Sequence, residues 1–398
     1  MARLLDLPIE LILAIVDYLQ MGTKQEPLLF SELGDAYRYV IEHDQSPSVK
    51  DLRSFLLATY PMNSLLLQPL FYRDIFIRRY GRIGEPVPLQ QLNRSFEKNP
   101  SLKEHIISAI IPCDDSIYDI HQFFWLPNIQ TLTIHKFSDW EPLEFENNAH
   151  LGTSPVKSLR LIDCGAHEEA LTALLSWPAA LETLHYDADQ GEWDGHYGDE
   201  PANSWACAAF VRALKSQKAT LTELTLTRPP LVHEGLGDGP RIDLSEFTSL
   251  KTLRIYHVFL CGWDDPIGVW KGLPRSLEVL EIFYDDTDLT KFLWEGHDSP
   301  YDTLILDLIQ HKRVHLPHLH TVNIHSSEGI FDHETDEYLP AGLWTLPSSL
   351  AREAESAGVK LSVWLGYQDP PDFKKTDVFE LLKISYTKQS IQLNNRYM

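Results

Sequence analysis

Residues 156–164 read Val-Lys-Ser-Leu-Arg-Leu-Ile-Asp-Cys, with apolar positions at Val156, Leu159, Leu161 and Cys164. In an extended strand successive side chains point to opposite faces, so Leu159 and Leu161 share one face while Arg160 and Ile162 share the other. The same phrase returns at Ile129-Leu132-Ile134, Leu181-Leu184-Tyr186, Leu221-Leu224-Leu226, Leu250-Leu253-Ile255, Leu277-Leu280-Ile282 and Leu319-Val322-Ile324. Weaker copies stand at Ile106-Ala109-Ile111 and Leu361-Val363. From Ile129 onward the starts lie 27, 25, 40, 29, 27 and 42 residues apart, so the two long steps call for insertions. Helical stretches at Glu168–Trp177, Trp205–Lys218 and Tyr301–Gln310 are placed to return the chain between phrases. A strand–helix unit of this size cannot bury its apolar face alone, and stacked units share one core. The reading is an α/β solenoid, with short parallel strands on the concave side and helices on the convex side. The alternative is an ordinary α/β domain whose leucine-rich strands are unrelated.

Charge sharpens the outline. The 398-residue chain carries 34 basic and 57 acidic side chains, a formal charge of −23. That balance argues against nucleic acid and anionic membrane as partners, since both are held by Lys and Arg. Residues 1–100 are close to neutral, with 11 basic and 12 acidic side chains, so nearly all the surplus lies beyond them. Three acidic stretches, Asp187–Glu200, Asp285–Asp302 and Glu328–Glu337, each follow a strand phrase. They are expected on one rim of the solenoid, where they would steer a basic target; solvated loops without a partner are the alternative. Gly84, Pro86 and Pro88 mark a linker over 81–93, between an N-terminal domain at 1–80 and repeats at 94–365. Residues 366–398 read as a tail. The four cysteines are scattered without a CxxC pair, which suits a reducing compartment. No apolar run approaches the length of a membrane span. The N-terminal apolar run is broken by Asp6, Pro8, Glu10 and Asp17, so it does not read as a signal peptide. An intracellular setting, cytoplasmic or nuclear, is expected.

Pro8–Leu19 reads as a helix, with Pro8 at its first position and Glu10 near the positive end of the dipole. Between Ile9 and Leu19 only Glu10 and Asp17 are charged, and they share one narrow stripe. A helix apolar almost all round must be buried almost all round. One face is expected on its own domain and the other against a partner; a simple helical hairpin core is the alternative.

The stretch Leu7-Pro8-Ile9-Glu10-Leu11-Ile12-Leu13-Ala14-Ile15 resembles the LPxELxxxI opening of an F-box. Val49–Ile77, with Leu52, Phe55, Leu56 and Pro69-Leu70-Phe71-Tyr72-Arg73, is similar to the closing helices of fungal-type F-box proteins. Residues from about 20 to 49 form an insertion where the family has a short turn. Such proteins often continue into leucine-rich repeats, which the downstream phrase resembles in period. The resemblance implies a substrate receptor of a cullin–RING (SCF) ubiquitin ligase. A Skp-family adaptor would be bound through Leu7, Pro8, Leu11, Ile12, Ile15, Leu52 and Leu56, and a target protein through the repeats. Such a receptor does no bond chemistry; it raises the local concentration of a target lysine. A non-catalytic repeat scaffold with another helical partner is the alternative, and an enzyme carried in the insertions is a second one.

Within the repeats, the position after the third apolar residue gives His135, Ile162, Asp187, Thr227, Tyr256, Phe283, His325 and Trp364. The position before it gives Thr133, Arg160, His185, Thr225, Arg254, Glu281, Asn323 and Ser362. Arg254, Tyr256, Phe283, His325 and Trp364 are the candidate target-binding residues, because exposed aromatics and Arg make good interface anchors. His311, His315, His318, His320 and His325 crowd together, but with no nearby cysteine they do not make a convincing metal site. No nucleophile elbow, zincin, Walker or dinucleotide motif occurs, so no catalytic residue, cofactor or metal is expected.

Overall fold

The computed structural model describes residues 72–77, 88–112, 117–135, 137, 151–164, 168–188, 207–227, 241–261, 267–284, 300–326, 331–332, 337–338, 342–343, 346 and 348–365. Its centre is one sheet, in which β1 (Asp74–Phe76), β2 (Ser108–Pro112), β3 (Thr131–His135), β4 (Ser158–Cys164) and β5 (Thr183–Ala188) lie side by side. The order continues through β6 (Glu223–Thr227), β7 (Thr252–Tyr256), β8 (Val279–Tyr284) and β9 (Thr321–Ser326). Then a two-stranded antiparallel ribbon, β10 (Phe331–Asp332) with β11 (Glu337–Tyr338), stands apart from the sheet. At the far edge β13 (Lys360–Leu365) pairs parallel with β9, and β12 (Gly342–Leu343) closes the sheet antiparallel to β13.

Ten strands are therefore parallel and run side by side in chain order. Parallel neighbours need a crossover, and right-handed crossovers taken always in one direction put every return on the same face. Helix contacts agree with this. The helix Glu168–Ser176 packs on Cys207–Ala213, and Pro300–His315 packs on both the short turn Val269–Gly272 and the helix Ser348–Ser356. An α/β solenoid-like fold results, with one face of the sheet under helices and the other bare of them among the described residues.

The phrase explains each coil. Its first residue closes the turn before the strand, and Ile129, Val156, Leu181, Leu221, Leu250, Leu277 and Leu319 are all at most 1% exposed. Its second and third residues, such as Leu253 and Ile255 or Leu280 and Ile282, lie fully buried on the helix side. The copies align strand by strand, Leu159 beside Leu184, Leu224 beside Leu253, Leu280 beside Val322. Tyr186 occupies a leucine position, and its buried hydroxyl is satisfied by donating to the Cys164 carbonyl at 3.1 Å.

Entry into each strand follows one backbone rule. The carbonyl of Gln130 accepts from both Lys157 and Ser158, that of Lys157 from Glu182 and Thr183, and that of Glu182 from Thr222 and Glu223. Thr222, Lys251 and Glu278 repeat the pattern toward the next strand in turn. Where the turn geometry differs, Gln217 substitutes for the backbone. Its buried amide donates to the Leu175 and Pro178 carbonyls and accepts from the Leu181 N–H. Burying that amide costs little because its hydrogen-bonding capacity is used.

Two expectations shift. The sheet begins at Asp74, inside the range assigned to the N-terminal domain, so the last part of Val49–Ile77 is a strand rather than a closing helix. Its Asp-Ile-Phe pairs with Ser108, Ala109 and Ile110, and tertiary pairing outweighs the local helical reading. The helix Pro88–Lys98 also occupies part of the expected linker 81–93. Pro88 opens that helix, because a proline at the first turn sacrifices no hydrogen bond, so it acts there as a start signal.

Candidate recognition face

On the helix-free face, two rows of side chains cross the strands in the register expected from the sequence. Arg254, Glu281, Asn323 and Ser362 are direct neighbours, as are Tyr256, Phe283, His325 and Trp364. The aromatic row is stacked. Tyr256 and Phe283 lie 6.2 Å apart at 30°, and Phe283 and His325 lie 5.4 Å apart at 26°. Parallel strands bring equivalent positions to about 4.8 Å, close enough for rings to stack into a ladder.

This face is less open than the expectation of exposed anchors. Tyr256 and Trp364 are 5% and 7% exposed, whereas Arg254, Phe283 and His325 are half-buried. Tyr256, Phe283 and His325 lie side by side, so each ring shields part of its neighbour. Burial holds the His325 imidazole down to about 4, with the Arg254 charge acting in the same direction, so this ring is neutral at physiological pH.

Polar side chains in the second row are paired along the sheet. Arg254 Nε donates to Glu281 at 3.1 Å, and its guanidinium lies 3.6 Å from Glu223. Glu281 is 4% exposed, and burial pushes its carboxyl above the usual range despite the opposing pull of Arg254. Ser362 donates to Asn323 at 2.7 Å. Further along, the Thr227 hydroxyl donates to Asp187 at 3.0 Å, so it accepts from His185 Nε2 at 3.0 Å, which fixes the protonated nitrogen of that ring. Burial, reinforced by Arg160 and Arg254, pushes the His185 pKa down to about 3.

The structure thus brings Arg254, Tyr256, Phe283, His325 and Trp364 onto one face of neighbouring strands. Leu7, Pro8, Leu11, Ile12, Ile15, Leu52 and Leu56 lie outside the described residues, as do most of the acidic stretches. The histidine cluster disperses. His311 stacks on Trp270 at 4.4 Å and His315 lies tilted against it at 4.0 Å, His318 and His320 precede β9, and His325 lies within it. Among the described residues no group of three or more His, Cys, Asp or Glu side chains is placed to hold a metal ion, and no helix is long and apolar enough to cross a membrane. Cys164 and Cys207 are buried free thiols.

Sequence reasoning placed Glu281 and His185 in the right row without assigning them a role. The signal was available: an acid beside an arginine one repeat away, at the same position of the phrase, is a lateral ion pair once the strands are parallel. No protein-family model matches the chain, and no curated protein or solved structure matches it either.

Proposed function

We propose that this protein is the substrate-recognition subunit of an SCF-type ubiquitin ligase. In this reading the N-terminal helix, through Leu7, Pro8, Leu11, Ile12 and Ile15 with Leu52 and Leu56, docks on a Skp-family adaptor and through it on the cullin–RING core. The sheet is read as an irregular leucine-rich-repeat solenoid, and its helix-free face with Arg254, Phe283 and His325 as the surface that holds a target protein. The observation that carries the reading is the F-box-like opening, LPIELILAI, ahead of a regular succession of parallel coils. An almost wholly apolar helix joined to a rigid sheet suits a tether that positions one protein beside another. Burying each adaptor-facing Leu or Ile is worth about 1.5–3 kcal/mol.

The test is co-purification of the full chain with a Skp-type adaptor. Capture of the adaptor, abolished by combined Leu11→Asp and Ile15→Asp with the repeats still folded, supports the receptor role. Failure to capture any Skp-type adaptor leaves the scaffold reading, in which the same helix serves a partner outside the ubiquitin system.

A further inference from the structure

All strands of the parallel sheet start at one edge, and the charge at that edge differs from the charge of the chain as a whole. The acidic stretches begin where β5, β8 and β9 end, at the opposite edge. At the entry edge, before β7, β8 and β9, an open cleft of about 470 Å³ is lined by Lys251, Arg275, Ser276, Glu278, Pro317 and His318. Lys251 pairs with Glu278 at 2.9 Å, and this hydrogen bond, aided by the charges of His320 and His318, holds the Glu278 carboxyl below its usual range. The single acid of the cleft is therefore already neutralised. Ser276 is committed as well, donating to the Leu250 carbonyl at 2.7 Å. Arg275 is exposed and has no acid partner among the described residues, and His318 is exposed beside it. A chain with a surplus of 23 negative charges leaves here a guanidinium and an imidazole facing one open cleft.

We infer that this strand-entry cleft, through Arg275 and His318, binds an acidic peptide segment of a partner protein. The planar fork of Arg275 suits a carboxylate or a phosphate monoester, both of which accept two parallel hydrogen bonds. The width fits a peptide: three strands span about 10 Å, room for one or two acidic side chains. The regular charge of a long polyanion is opposed by the charge of the rest of the molecule. The cleft lies at the strand-entry edge, away from the aromatic row at the strand ends, and the inference does not depend on the receptor reading.

The experiment uses the full chain at low salt and three labelled peptides of one sequence, carrying Glu, phosphoserine or Gln at two adjacent positions, read by fluorescence anisotropy. The expected result is binding of an acidic peptide at least tenfold tighter than the Gln peptide. Arg275→Glu is expected to weaken it by a further tenfold or more, and rising salt to weaken it steadily. Lys157→Glu, at a distant point of the same edge, should leave it unchanged. Binding of both acidic peptides assigns the site to oxyanions generally, and binding of the phosphoserine peptide alone assigns it to phosphate monoesters. Equal binding of the Gln peptide, no binding of either acidic peptide, or acidic binding that survives Arg275→Glu in a chain with unchanged circular dichroism would overturn the inference.

Discussion

Replacing Arg254 by leucine isolates the electrostatics of the helix-free face. The Glu281 side chain is 5% exposed and accepts from Arg254 at 3.1 Å, with the half-exposed Glu223 carboxylate 3.6 Å from the same guanidinium. Arg254→Leu leaves a buried carboxylate without its partner and removes the cation standing between two acids. Breaking a buried pair from one side costs about 3–5 kcal/mol, whereas replacing both partners by apolar groups is near neutral. Because 29% of the Arg254 side chain still reaches water, the lower end applies, about 3 kcal/mol for the single variant. For a chain of 398 residues that is a fall of about 4 °C in Tm. Arg254→Leu with Glu281→Leu should recover most of it. The pH dependence adds a second signature. Glu281 has its pKa raised in the folded state, so the fold binds this proton more tightly than the unfolded chain does. Its contribution favours folding at low pH and is lost as pH rises through the folded pKa. Without Arg254 that pKa rises further, so the deficit should shrink between pH 7.5 and pH 5. Thermal unfolding of the wild type, both single variants and the double variant at the two pH values reads all of this. A single variant no less stable than the double, or a deficit unchanged by acidification, would refute the account.

Other outcomes follow from packing and burial. Leu280→Ala, at a wholly buried position in the middle of the sheet, should cost about 2–5 kcal/mol in denaturant unfolding and loosen amide protection in β7 and β9 as well as β8. Gly272→Ala would place a Cβ 2.7 Å from the Ile242 carbonyl oxygen, so at this half-buried position it should destabilise by about 1–3 kcal/mol. The His185 ring, with its pKa pushed to about 3, should show no NMR titration between pH 8 and pH 5. Its neutral form is the native one, so its contribution is present above the ordinary histidine pKa and declines as pH falls below it; His185→Gln should flatten the acid limb of the stability curve. Phe283→Ala, which breaks the stack with both Tyr256 and His325, should weaken capture of any target held on this face more than Tyr256→Ala does, because Tyr256 is buried and Phe283 keeps an edge in water.

The sheet was legible because its signal is redundant. Each copy of the phrase is weak, but parallel strands in chain order require Leu159, Leu184, Leu224 and Leu253 to meet, and they do. The same arithmetic puts Tyr256, Phe283, His325 and Trp364 in one row, as the strand register does. What the phrase did not carry was depth. A strand pattern says which face a side chain is on, not how much its neighbours shield it, and Tyr256 and Trp364 proved buried. The strand at Asp74–Phe76 was missed because three residues show no periodicity, and only its partner β2 makes it a strand. The bifurcated carbonyls at each strand entry were beyond reach for another reason: they belong to the backbone and leave no mark on side-chain type.

Burial on the helix-free face also constrains what any partner gains there. Glu281, His185 and Asp187 are hidden and hydrogen-bonded to neighbours, Glu281 to the Arg254 cation and His185 as a neutral ring, so a partner cannot reach them and gains little by supplying opposite charges. Affinity must then come from the atoms that still touch water, among them the edges of Phe283 and His325 and the outer part of Arg254. Such a contact is small and largely apolar. At the strand-entry edge the order is reversed, because Arg275 is exposed, has no acid partner among the described residues and so has charge to offer. Apolar burial is nearly indifferent to salt, whereas exposed charges are screened within about 10 Å at 0.1 M. The two surfaces therefore divide the physics of recognition between them, and a partner that used both would lose affinity with salt only in the part contributed by Arg275.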